Sequence, residues 1–206
     1  MISLGPLFNR QPPALLGIDI SSSSVKLVEL SRDKAGNLVL DRCAIEPLER
    51  GWITDGNVEK FDEVADAVRR VVKKSGTRTK NVAMALPASA VISKKIILPG
   101  GLSDAELELQ VESEANQYIP FSLDEVSLDF CVVGPSATSS GDVEVLIAAS
   151  RKEKVQDRQG LAEAAGLKPI VVDVESYASR LATARLIENL PNKGAGTMVA
   201  LFEVGA

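Results

Sequence analysis

Apolar and polar positions alternate along this chain in two registers, one of period two and one near 3.6, and the switches between them lay out its elements. The run ALLGIDI (14–20), closed by four serines, predicts a buried strand and a tight turn. VKLVELS (25–31) and LVLDRCAIEPL (38–48) predict two further strands, with Lys34-Ala35-Gly36-Asn37 as the reverse turn between them. Short turns join antiparallel neighbours, so the chain is expected to open as a three-stranded meander. Phe61, Val64, Val68, Val71 and Val72 then fall at helical spacing, with Asp62, Glu63, Arg69, Arg70 and Lys73 on the other faces and Gly76 as the stop.

NVAMAL (81–86) and VISKKIIL (91–98) predict two short strands, each stopped by a proline. Ser103-Asp104-Ala105-Glu106 has capping-box spacing, in which the serine hydroxyl and the glutamate each satisfy an orphan backbone N–H. The helix it opens is expected to bury Leu107, Val111, Ala115 and Tyr118 and to stop at Pro120. EVSLDFCVV (125–133) and VEVLIAAS (143–150) predict a hairpin across the polar loop 134–142. A helix over 151–165 follows, with Gly166 as its left-handed cap. Then come a strand PIVVDVE (169–175), a helix carrying Tyr177, Leu181, Ala184 and Ile187, and an apolar strand TMVALFEV (197–204).

This order predicts an α/β fold in two modules. Residues 14–79 and 169–196 form the outer one, and 80–168 form an insert. Residues 1–13, broken by Gly5, Pro6, Pro12 and Pro13, are expected to be a flexible lead-in. The strand over 197–204 has no evident partner in the remaining sequence. The chain is therefore expected to be the N-terminal half of a larger protein, with 197–206 opening the second half.

Composition narrows the chemistry. The chain has no histidine, which removes the commonest general base, the usual zinc ligand and the Ser-His-Asp triad together. Its net charge of −5, from 23 basic and 28 acidic side chains, gives no basic footprint for nucleic acid. Cys43 and Cys131 lie far apart without CxxC spacing and are expected to be reduced core thiols of a cytosolic protein. No apolar run approaches the roughly 18–20 residues that span a bilayer, and the N-terminus lacks the regions of a signal peptide.

The strongest local signal is GIDISSSSVK (17–26). Asp19 ends a buried strand, Ser21, Ser22, Ser23 and Ser24 form a tight turn, and Lys26 stands on the next strand. Successive backbone N–H groups and hydroxyls in such a turn can cradle a phosphate, a carboxylate can hold Mg2+ through water, and an ammonium can neutralise phosphate charge. The same residues also make a plain serine-rich hairpin with an exposed lysine. Neither the P-loop spacing nor a GxGxxG dinucleotide site is present. Asp173 and Glu175 stand where the last inner strand passes into a helix. They could orient water or act as base, and they equally suit a helix start, where the dipole favours carboxylates. The helix from Ser103 carries Asp104, Glu106, Glu108, Glu112 and Glu114, a solvated acidic face or an interaction surface.

LLGIDISSSSVKLVELS resembles the phosphate-1 hairpin of the actin, Hsp70 and sugar-kinase superfamily. Together with GLSDAELELQVESEANQYIPFSLDEVSLDF, VLIAASRKEKV and GLKPIVVDVESYA, it makes the chain similar to the PilM family of type IV pilus assembly and to its relative FtsA of cell division. The likeness runs from about residue 14 to the end, and NQYIPFSLDEV points to PilM. The resemblance implies an actin-like (ribonuclease H-like) mixed sheet with helices. The outer segments would be subdomain 1A, and the insert would be a strand–helix–strand–strand subdomain 1C. It implies ATP and Mg2+ as ligands, with Asp19, Ser21 to Ser24 and Lys26 on phosphate and metal. Glu203 and Gly205 would belong to a phosphate-2 hairpin that usually carries Asp-x-Gly. Glutamate in that place shifts the carboxylate, so at most slow hydrolysis is expected, and only from a full-length protein.

The partner it implies is the N-terminal cytoplasmic peptide of PilN, held in a groove between 1A and 1C whose residues the sequence does not identify. Other pilus assembly proteins and a homo-oligomer belong to the same expectation, as does a cytoplasmic place at the inner membrane reached through partners. Two alternatives share the fold: an FtsA-like division filament, and a small-molecule kinase with Asp173 as base.

Overall fold

The computed structural model describes residues 14–202. The chain opens with β1 (Leu16–Ile20), β2 (Ser24–Arg32) and β3 (Leu38–Pro47), an antiparallel meander as expected. Leu16, Ile18, Val25 and Leu27 alternate inward, while Asp19, Lys26 and Val28 point the other way. The register sets Asp19 directly opposite Lys26. A two-residue hairpin follows, β4 (Ile53–Thr54) and β5 (Asn57–Val58), closed by Asp55 and Gly56 at φ 50° and 78°. Positive φ at both central residues is what a type I′ turn requires, and Asp-Gly meets it.

Helix α1 (Phe61–Ser75) buries Val64, Val68 and Val71, begins with Asp62 and Glu63 and ends with Lys73 and Lys74, the charge order its dipole favours. Gly76, at φ 65°, returns its N–H to the Lys73 carbonyl and stops the helix. β6 (Asn81–Leu86) and β10 (Lys168–Val174) run parallel to β1, completing a five-stranded sheet in the order β10-β6-β1-β2-β3. Helix α3 (Lys152–Ala164) packs against α1, β6 and β10. Gly160 lets it approach closely, because a Cβ there would lie 3.2 Å from the Phe61 ring. Helix α4 (Glu175–Ile187) lies against β6 and β10.

Between β6 and α3 the chain builds a second layer pair. β7 (Val91–Pro99), β8 (Val126–Pro135) and β9 (Asp142–Arg151) form an antiparallel sheet in the order β7-β9-β8, covered by α2 (Asp104–Ala115). Ile96, Leu98, Val145 and Ile147 meet Val111 and Ala115 of α2 in a core separate from the first. At about 1.5–3 kcal/mol for each buried aliphatic side chain, each core provides its own driving force.

The two sheets divide the chain differently from the boundaries read at 80 and 168. β6 pairs with β1 and β10, and Leu161, Ala162 and Leu167 belong to the first core. The inserted module is therefore β7-α2-β8-β9 alone. Parallel partners come from distant sequence, which is why β6 looked like a neighbour of β7. Both cysteines are exposed, a correction to their expected burial: Cys43 shares the outward side of the sheet with Val28, its partner in register, and Cys131 faces away from the second core. Tyr118 is also exposed, with Lys94 Nζ 5.1 Å from its ring centre. Residues 197–202 form no strand, and Met198 and Phe202 are almost fully exposed. A strand needs a ladder partner, and none stands beside this segment among the described residues. The segment expected as a lead-in, 1–13, and residues 203–206, which include the end of the expected strand 197–204, lie outside the described residues.

Candidate functional site

Because β1, β6 and β10 are parallel, their carboxyl ends share one edge of the sheet, the edge at which open α/β sheets bind ligands. The β1–β2 turn stands there. Lys26 Nζ donates to Asp19 Oδ2 at 2.9 Å, with both side chains half-exposed. Ser21 N donates to the Ser24 carbonyl at 3.0 Å and Ser21 Oγ donates to the same oxygen at 3.2 Å. The Leu48 N–H donates to the Ser23 carbonyl at 2.8 Å, fastening the turn to the end of β3. The result is a hydrogen-bonded turn edged by hydroxyls, one carboxylate and one ammonium.

Beside it, α4 starts with Glu175, where the helix dipole favours a negative charge. Arg158 of α3 lies buried at this edge, only 3% exposed. Its Nε donates to the Ala85 carbonyl at 3.3 Å and its Nη2 to the Gly56 carbonyl at 3.2 Å. Burial pushes the Arg158 guanidinium below its ordinary value, while the charges of Glu175, Asp157 and Asp19 work against that shift. Asp19 and Glu175 therefore share the field of one buried cation. Among the described residues no group of three or more metal-ligating side chains comes together.

A second feature lies between the two sheets. A cleft of about 390 Å³ is bounded by the β4–β5 turn on one side and the small module on the other. Ile92, Ile119, Pro120, Phe121 and Val126 give it an apolar floor, and Asp55, Asn57, Arg151 and Lys154 add polar groups. Arg151 lies 4.7 Å from the centre of the Phe121 ring and holds it from above. Few polar groups around an apolar floor is the usual make-up of a site for a peptide or small ligand.

The structure thus brings Asp19, Ser21 to Ser24, Lys26 and Glu175 to one edge. Asp173 stands opposite Ala85 in register, accepts the Val174 N–H at 2.7 Å, and lines a different cavity of about 290 Å³ with Phe130, Cys131 and Tyr177. Glu203 and Gly205 lie outside the described residues. The sequence reading passed over Arg158 and the β4–β5 turn. Each left a signal: Arg158 interrupts the apolar stripe Val155, Leu161, Ala162, and Asp55-Gly56 is a strong hairpin pair.

Fold and edge together define an actin-like α/β protein with an inserted small sheet. The family description "Type IV pilus assembly protein PilM" matches residues 17–206, and the chain belongs to that family. A solved structure described as the PilM–PilN type IV pilus biogenesis complex is 32% identical, with a TM-score of 0.75 over 86% of this chain. The chain spans about half of that relative's length, 52%. The cytoplasmic domain of EpsL, an inner-membrane component of the type II secretion system of Vibrio cholerae, is 14% identical, with a TM-score of 0.48 over 78% of this chain and 57% of its own. No helix among the described residues is long and apolar enough to cross a membrane.

Proposed function

We propose that this chain is the partner-recognition half of an ATP-binding scaffold that acts in type IV pilus assembly at the cytoplasmic face of the inner membrane. Its groove takes the N-terminal cytoplasmic peptide of PilN, and its serine turn takes the phosphates of Mg-ATP. The observation that carries the reading is the apolar cleft between the β4–β5 turn and the small module, in a PilM-family chain whose relative was solved with PilN. An extended peptide would place apolar side chains on Ile119, Pro120 and Phe121 and polar groups against Asp55, Asn57 and Arg151.

The serine turn supports the nucleotide half of the reading. Asp19 and Glu175 would face a hydrated Mg2+, Lys26 would turn from Asp19 to a phosphate oxygen, and the small serines leave the backbone open to close approach. Nucleotide binding would then bias an open–closed equilibrium of the full-length protein. Further pilus proteins and self-association are part of the same proposal.

The test is a fluorescence-anisotropy titration with the PilN N-terminal peptide against a scrambled control. Saturable binding to the natural peptide alone is expected, and Phe121→Ala should weaken it about ten-fold or more, as loss of a central aromatic anchor does. Equal binding of both peptides, or no effect of Phe121→Ala, removes the cleft from partner recognition.

A further inference from the structure

The β4–β5 turn takes part in both regions. Asp55 and Asn57 line the cleft, and Gly56 between them offers its carbonyl to Arg158 Nη2 at 3.2 Å. The other end of the same guanidinium reaches the Ala85 carbonyl at 3.3 Å, on the carboxyl edge that carries Asp19 and Glu175. One buried side chain therefore spans from the cleft wall to the carboxyl end of β6.

The turn also lies close against Pro87. A Cβ on Gly56 would lie 2.5 Å from Pro87 Cγ, and φ at Gly56 is +78°, so this position has neither room nor a backbone suited to a side chain. Pro87 directly follows β6 and leads into Ser89 and Ala90, which also line the cleft.

A buried cation depends on its acceptors, because losing one leaves an N–H with neither water nor protein to bond. A ligand that draws on Asp55 or Asn57 would move the Gly56 carbonyl, and with it the guanidinium whose charge is felt by Asp19 and Glu175. A cation or phosphate bound at those carboxylates acts on the guanidinium from the other side. We infer that Arg158 is a positioning residue that couples occupancy of the cleft to binding at the serine turn. The inference rests on the functional reading above and names its regulation. Coupling of this kind is reciprocal, so either ligand reports it.

The test uses the full-length protein and calorimetric titration of Mg-ATP, with and without saturating PilN N-terminal peptide. The wild type is expected to change its Mg-ATP affinity by about five-fold or more when peptide is bound, the lower end of ordinary coupling. Arg158→Lys keeps a cation but cannot span two carbonyls. It is expected to bind each ligand alone within about three-fold of wild type and to reduce the coupling below about two-fold. A merely structural arginine would weaken both ligands and leave their ratio alone. Should Arg158→Lys fail to fold, Arg158→Gln, which keeps an amide donor for one carbonyl only, is read by the same ratio. Binding of both ligands with no effect of one on the other, or full coupling in the variant, overturns the inference and leaves the functional reading standing. Failure of the wild type to bind either ligand overturns both.

Discussion

Lys26 and Asp19 hold each other at 2.9 Å on a half-exposed surface, where an ion pair is worth about 0–1 kcal/mol. Lys26→Ala should therefore leave the melting temperature near that of wild type. In the full-length protein it should weaken Mg-ATP binding about ten-fold, the effect of losing roughly 1.4 kcal/mol of phosphate contact. Unchanged affinity by calorimetry would take Lys26 out of the site. Gly56 differs in kind, because its constraint is steric. Gly56→Ala meets Pro87 at 2.5 Å and imposes a positive φ on a side chain, so a loss of about 1–3 kcal/mol in urea unfolding is expected. A midpoint equal to wild type would mean that the turn has room to move.

At the scale of elements, α2 is held at its start by a capping box. Ser103 Oγ accepts the Glu106 N–H at 3.4 Å, and Glu106 Oε2 accepts the Ser103 N–H at 2.9 Å. Ser103→Ala should lower stability by about 1 kcal/mol. The Ser103 hydroxyl first, and its backbone N–H second, hold the Glu106 carboxyl below its ordinary value. A lowered carboxyl contributes stability that is present above its ordinary value and lost as pH falls through the lowered one. The melting-temperature advantage of wild type over Glu106→Gln should accordingly exist at neutral pH and vanish in acid. An advantage that persists in acid would assign it to packing. Helix α4 shows the opposite design. It begins on the carboxyl edge of the sheet with Glu175 yet buries no residue, and Leu181 and Leu186 are largely exposed.

Across the whole molecule, two separate cores meet along the cleft, and the elements differ in how firmly they join them. Helix α1 is anchored by Val64, Val68 and Val71, each fully buried, whereas α4 has no such anchor. Amide hydrogen exchange on this chain should therefore find α4 opening well before α1, since local stability follows buried contacts. Equal protection of the two helices would show α4 held by something other than burial. A cleft between modules can change width without unfolding either core, which suits the partner site proposed for it.

Much of this protein was legible in its residues. Alternation in ALLGIDI and VKLVELS fixed the first hairpin and set Asp19 against Lys26, and the Ser103 to Glu106 spacing fixed the start of α2. These features depend on local periodicity and turn chemistry, which neighbouring residues decide among themselves. Only the tertiary structure placed β6 between β1 and β10, turned Cys43 and Cys131 outward, withheld a ladder from residues 197–202, and buried Arg158 between Gly56 and Ala85. The reason is common to all of them. Parallel pairing, the choice of exposed sheet face and the acceptors of a buried cation are settled by groups distant in sequence, and no local pattern specifies which of those groups will meet.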